Sequence, residues 1–275
     1  MPSRLMIIVP TLLLLASSCQ KQLKNPGNTS SNYDIDAATF MDSSGITASP
    51  EKNAINNLVI QLKDSSLWQK FVAIYPMVGG TAHSTSYNLK DPRDADAAYR
   101  LTFYGAPSYS SDGVLFPTIS DYADTHLEDN ALGGYANSAI SYYSGTQNDI
   151  SGYDIGCTDG AAPFNELSIY SNSADNSEWF GFSQPILSPN TTGLFMLSSS
   201  QVNVTRYRNG EIVSSKGSGP KENYTNLTFL IGKSRVTVHP GQKKCQLTTL
   251  GNGLTDSEAL TFYHIVQKFE SSLGR

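Results

Sequence analysis

The sequence predicts a mainly β protein, one antiparallel β-sandwich preceded by a helical segment and closed by a C-terminal helix. Three observations lead there. From about residue 70 onward, short apolar or alternating runs are split by Gly, Pro, Asn, Asp and Ser at near-regular intervals, the texture of a sandwich or barrel. No stretch alternates a strand with a long helix, which argues against a parallel doubly wound sheet. The chain is 39% hydrophobic and rich in Tyr and Gly, but only 16% charged. Disordered chains show the opposite balance, with high net charge and few aromatics. At 275 residues it is long enough to bury a full core without help from metals or disulfides.

The N-terminus reads as an export signal. Arg4 precedes an apolar run from Leu5 to Ala16, and the small residues Ser17 and Ser18 follow, the pattern of a signal peptide. The run is shorter than the roughly 20 apolar residues that span a bilayer as a helix. Leu15-Ala16-Ser17-Ser18-Cys19 resembles the lipobox of bacterial lipoproteins, with Ala16 where Leu is usual. The resemblance implies a signal peptide over residues 1–18 and cleavage before an acylated Cys19. It further implies a location in the bacterial cell envelope, at the outer membrane or cell surface. Each buried CH₂ of the acyl chains contributes about 0.8 kcal/mol of anchoring. An ordinary secretory cleavage near Ser18 is the alternative. Residues 19–33, rich in Lys, Asn, Ser and Gly, read as a flexible tether, and residues 34–275 as a single domain.

Within that domain, residues 34–75 read as helical. Ser49-Pro50 supplies an N-cap followed by proline, and Ala54, Ile55, Leu58, Val59 and Leu62 recur at helical spacing. Expected strands are Phe71–Tyr75, Tyr99–Tyr104, Ala139–Tyr143, Glu166–Tyr170, Leu194–Ser198, Val202–Arg208, Leu227–Ile231 and Val236–His239. Asn209-Gly210, the favoured pair for a type I′ turn, joins Val202–Arg208 to Glu211–Ser215 as a hairpin. That turn sets Arg208 opposite Glu211 and Tyr207 opposite Ile212. Thr255-Asp256-Ser257-Glu258 is a capping box opening a helix over residues 255–272. Cys157 and Cys245 make an even pair, a disulfide candidate in an oxidising compartment, with two separate buried thiols as the alternative.

These motifs carry a second resemblance. Tyr207-Arg208-Asn209-Gly210, then Leu230-Ile231-Gly232, then Leu250 to Glu258, closing on Phe269 to Arg275, are similar to concanavalin A-like (laminin-G-like) jelly rolls. Ala54 to Val59, Ala73 to Ala82 and Asn88-Leu89-Lys90-Asp91-Pro92-Arg93 resemble an uncharacterised family of bacterial surface and phage structural proteins. The resemblance covers about residues 35–275. It implies a lectin- or glucanase-like sandwich and identifies a family better than an activity.

No catalytic motif is present. The Glu-x-Asp-x-x-Glu pattern of glucanases on this fold is absent, as is a Gly-x-Ser-x-Gly elbow. The four histidines lack the close spacing of metal ligands. Calcium, bound in related lectin folds, is signalled by no recognisable loop. The net charge of -5 excludes nucleic acid as a natural partner. The basic clusters Lys21/Lys24 and Lys243/Lys244 read as solvated loops. Sugar recognition needs aromatic faces flanked by hydrogen-bonding side chains, and Trp179, then Tyr109, are the candidate platforms. The leading expectation is therefore a non-enzymatic, membrane-anchored surface lipoprotein that binds carbohydrate or another surface component. The alternatives are a diverged glycoside hydrolase or lyase, and a structural or adhesion part like the phage relatives. Radiolabelled palmitate fed to cells making the protein should label it, and Cys19→Ser should abolish the label. An unlabelled, uncleaved product would remove the lipid anchor.

Overall fold

A computed structural model describes residues 33–132, 137–148, 150, 152–158, 166–171, 190–199, 203–217, 226–235 and 241–275. Cys19, Trp179 and the expected strand Val236–His239 lie outside the described residues. The leading segment holds α1 (Ile35–Ser44) and α2 (Ser49–Asp64), then a 3₁₀ turn at Trp68–Lys70. It ends in a strand, β1 (Phe71–Tyr75), not in more helix. Phe-Val-Ala-Ile-Tyr is β-branched and aromatic, and its alternating faces enter two different cores. Gly45, in the left-handed region at φ 69°, stops α1. Helix α2 starts one residue earlier than expected, with Ala48 as N-cap and Pro50 in the first turn.

A short α3 (Ala82–Thr85) precedes the strands β2 (Thr102–Tyr104), β3 (Ser108–Ser110), β4 (Gly113–Leu115), β5 (Tyr122–Glu128), β6 (Ala139–Ser144) and β7 (Gly152–Thr158). There follow β8 (Glu166–Ser171), β9 (Gly193–Ser199), β10 (Asn203–Arg208), β11 (Glu211–Gly217), β12 (Thr228–Ile231), β13 (Lys244–Gly251) and the closing helix α4 (Asp256–Ser272). They form the expected antiparallel β-sandwich. The larger sheet runs β11-β10-β9-β6-β13-β4-β3, with β1 also on β13, and the smaller runs β2-β5-β12-β7-β8.

The larger sheet is the middle of three layers, and the period of two along its strands sorts side chains between two cores. On one face Phe71, Ile74, Ala139, Leu194, Met196, Tyr207 and Leu247 meet α1, α2 and α4. On the other, Ala73, Tyr75, Ile140, Tyr142, Phe195, Leu197, Cys245 and Leu250 meet Ala123, Leu127, Ile155, Leu167, Ile169, Phe229 and Ile231 of the smaller sheet. Helix α4 lays Ala259, Phe262, Val266 and Phe269 into the first core from a capping box. In that box the Thr255 side chain accepts from the Glu258 N–H and Glu258 accepts from the Thr255 N–H. Phe262 packs on Phe71 with ring centroids 4.9 Å apart.

Two of the motifs singled out in the sequence have structural duties. Asn88 is fully buried, and its amide does the work of a missing strand neighbour. Its oxygen accepts from the N–H groups of Ile74 and Lys90, while its nitrogen donates to the carbonyls of Val72 and Ala98. The hairpin has the expected register, Tyr207 opposite Ile212 and Arg208 opposite Glu211, with φ of 50° at Asn209 and 80° at Gly210.

Two expectations are corrected. Cys157 and Cys245 are separate buried thiols, not a disulfide. Cys157 Sγ donates to the Leu227 carbonyl at 3.1 Å, and burial pushes the Cys245 thiol up, away from the thiolate that exchange chemistry needs. Lys243 is no solvated loop residue. Its ammonium is buried 3.6 Å from Asp154 and donates to the carbonyls of Ile150 and Gly241.

Because α4 closes the helical core, Phe262→Ala should cost about 3–5 kcal/mol, read as a lower urea midpoint. A loss below about 1 kcal/mol, the range of surface changes, would show that α4 is not integral to the fold.

Candidate functional site

A polar cleft of about 440 Å³ opens where the C-terminal half of α4 passes the ends of β6, β9 and β13. Each wall follows from local structure. Tyr143 sits on the helix-facing side of β6 and Tyr263 on the flank of α4, both half-buried at the edge of the helical core. Asn209 arrives at the tip of the β10–β11 hairpin and Gln267 from the last turns of α4. Gln246 comes from β13, beside a ladder irregularity between Cys245 and Leu247 that turns its side chain out of the alternating pattern. The exposed pair Lys244–Asp112, 3.4 Å apart, completes the rim.

The side chains are held by close backbone approaches. A Cβ on Gly145 would lie 2.5 Å from the Gln246 amide carbon, so that amide lies flat on a bare glycine. Asn209 is fixed by its oxygen, which accepts from the Leu194 N–H at 2.9 Å, while its own N–H donates to the Leu194 carbonyl. The segment before β9 is tied down by Arg208, whose guanidinium donates to the carbonyls of Asn190 and Thr192. The Tyr143 and Tyr263 hydroxyls and the Gln246 and Gln267 amides have no hydrogen-bond partner among the described residues.

Arg275 lines the cleft, and its buried guanidinium pairs with Glu270, Nε to Oε2 2.9 Å, and also donates to the Met77 carbonyl at 3.2 Å. Burial pushes the Glu270 carboxyl up to about 7 even though Arg275 pulls it down. Burial likewise pushes the Tyr143 hydroxyl up, with Glu270 and Tyr263 adding to the effect.

Of the two residues favoured from the sequence, Tyr109 does not line this cleft. Tyr109, on β3, is half-buried and stands edge-on to Phe103, centroids 5.2 Å apart, at the margin of the inter-sheet core. Trp179 lies outside the described residues. Of the cleft's own residues, the sequence marked Asn209 as a turn and Lys244 as a solvated cation. Nothing in the spacing marked Gln246 or Tyr143 as facing one space. Among the described residues, no three His, Cys, Asp or Glu side chains come together as a metal site. Nor is any described helix long and apolar enough to cross a membrane.

No protein-family model matches the chain, and no curated protein matches it. Among solved structures it is similar to domain 4 of AbnA, a GH43 extracellular arabinanase from Geobacillus stearothermophilus, in complex with arabinotriose. There the identity is 16% over 70% of this chain and 98% of that one, with a TM-score of 0.49. It is also similar to Trypanosoma rangeli sialidase in complex with sialic acid, at 9% identity over 76% of this chain and 38% of that one, TM-score 0.47. A third likeness is to the binding domain of botulinum neurotoxin serotype G, at 11% identity over 71% and 51%, TM-score 0.43. The chain thus spans well under half of the sialidase and about half of the neurotoxin domain.

Glu270, buried behind the cleft, carries a pH signature. Its folded value lies above the ordinary 4.5, so the folded state keeps a proton that the unfolded chain has lost. The stability this group contributes is fully present below pH 4.5 and is lost as pH rises through about 7. Urea denaturation across that window should show stability falling with pH, and Glu270→Gln should flatten the fall. A slope unchanged in the variant would place the titrating group elsewhere.

Proposed function

We propose that the protein is a lipid-anchored surface lipoprotein whose sandwich binds carbohydrate, without altering it, in the cleft beside the C-terminal half of α4. The observation that carries this reading is the convergence of unpartnered hydroxyls and amides around two half-buried tyrosine rings. Sugars present that need in reverse, since each hydroxyl seeks both a donor and an acceptor while the ring C–H groups seek an apolar face. Tyr hydroxyls and Gln amides both donate and accept. A concave site with a few fixed polar groups among aromatic walls is the general form of a small-ligand site.

Binding is favoured over hydrolysis by the carboxylates. Glycoside cleavage uses two carboxyl groups, about 5–5.5 Å apart for retention or about 6.5–9.5 Å for inversion. Among the described residues the cleft is lined by one acidic side chain, Asp112, which faces Lys244. Glu270 is wholly buried against Arg275 and does not line the cleft. The acyl chain on Cys19 and the tether of residues 19–33 would hold the cleft outside the cytoplasm, within reach of envelope or environmental glycans.

A broad glycan library, screened with the purified domain, should yield a retained set. Tyr263→Phe and Gln267→Ala should each weaken binding about three- to tenfold, the worth of one neutral hydrogen bond. Silence across the library, with and without calcium, would sink the carbohydrate reading.

A further inference from the structure

A second polar cleft, of about 550 Å³, lies at the opposite end of α4, against β10 and β11. Its walls include Thr205, Tyr207, Ser215, Thr255 and Asp256, with Ile212 at the lip. The Tyr207 hydroxyl donates to Asp256 Oδ1 at 2.6 Å, and Thr205 Oγ1 lies 3.1 Å from Ser215 Oγ. Among the described residues Asp256 is the one carboxylate lining it, without the second that hydrolysis requires.

The two clefts share a wall. Asp256 lines the second and Tyr263 and Gln267 the first, and with Leu260 between them these residues follow one another at intervals of four, three and four. That spacing puts all four on one stripe of the helix. Eleven residues of helix separate the ends of the stripe, roughly 16 Å at ~1.5 Å per residue. Opposite its middle stands the tip of the β10–β11 hairpin. A Cβ on Gly210 would lie 3.0 Å from both Leu260 Cδ1 and Tyr263 Cβ, so the glycine keeps the tip low against the helix. Beside this saddle are two of the large apolar side chains the fold leaves in water, Ile212 at 52% and Leu260 at 38% exposure.

We infer that the two clefts and the saddle are one continuous binding groove for an extended, uncharged polysaccharide chain. This rests on the carbohydrate reading and sharpens it from a single sugar to a polymer. The polar clefts take hydroxyl-rich faces at either end, and Ile212 and Leu260 take the apolar face of the ring that crosses between them. Among the described residues lining the two clefts, the cations are Lys244, paired with Asp112, and Arg275, paired with Glu270, so none of these is left unpaired to select an acidic sugar.

Chain length is the test. Starch-type α-glucan, mixed-linkage β-glucan, xylan, arabinan and mannan, each as a trisaccharide and a hexasaccharide, are titrated against the full domain by calorimetry. For at least one of them the hexasaccharide should bind at least tenfold tighter than its trisaccharide. Ile212→Asp and Leu260→Asp, both at exposed positions, should reduce that ratio to below about threefold. Gly210→Trp, which fills the saddle, should do the same if circular dichroism shows it folded. Equal affinity at both lengths, or a ratio untouched by the two surface variants, overturns the groove and leaves the single-cleft reading standing. If neither length of any oligomer binds, the carbohydrate reading fails and the groove fails with it.

Discussion

The architecture depends on one strand being buried on both faces and paired on both edges. β13 places Leu247 in the helical core and Cys245 and Leu250 in the inter-sheet core. It pairs with β6 along one edge and with β4 and then β1 along the other. Beyond Lys244 and Gln246, which reach the cleft, a strand so enclosed has nowhere to solvate a polar group, yet it carries Thr248 and Thr249. Its threonines are satisfied internally: Thr248 Oγ1 donates to the Ser141 carbonyl at 2.5 Å and Thr249 Oγ1 lies 2.7 Å from Ser141 Oγ. Such bonds add little net stability when made, but leaving them unmade costs about 1–3 kcal/mol each. Ser141 and the two threonines therefore specify the pairing of β6 with β13 rather than merely permitting it.

That enclosure explains which parts of the fold were legible in the sequence. Elements with one dry and one wet face, or with specific local chemistry, could be read. The hairpin followed from Asn209-Gly210, whose positive φ values few other residues tolerate, and α4 followed from its capping box. β13 could not be read, because a strand buried on both faces along most of its length shows little alternation, and Lys243 and Lys244 at its start suggested a loop. β5 was obscured for another reason. Its register breaks between Thr228 and Leu230 of β12, and His126 takes a φ of 55° at the interruption. Phe71–Tyr75 carried two readings, as the end of a helical run from residue 34 and as a strand, and the strand is what its β-branched and aromatic residues form.

The cleft was less legible than the fold. Its residues come from four strand ends and one helix, so their meeting is a product of topology and not of spacing. Gln246 illustrates the difficulty. Although only 6% exposed, it lines the cleft through a ladder irregularity and a bare Gly145 that no propensity scale records. The aromatic residues singled out from composition were chosen for being aromatic near loops, and Tyr109 turned inward because Phe103 offered its ring an edge-to-face partner.

The place of β13 in the chain gives the protein a particular biography. It follows every other described strand, yet it supplies the partner for β1, the first. A nascent chain that has emerged only as far as β12 has two half-built cores and several open strand edges, the condition in which chains associate with one another. Non-local pairing of this kind slows folding. Premature termination or proteolytic trimming near residue 244 should accordingly yield aggregate rather than a smaller working domain.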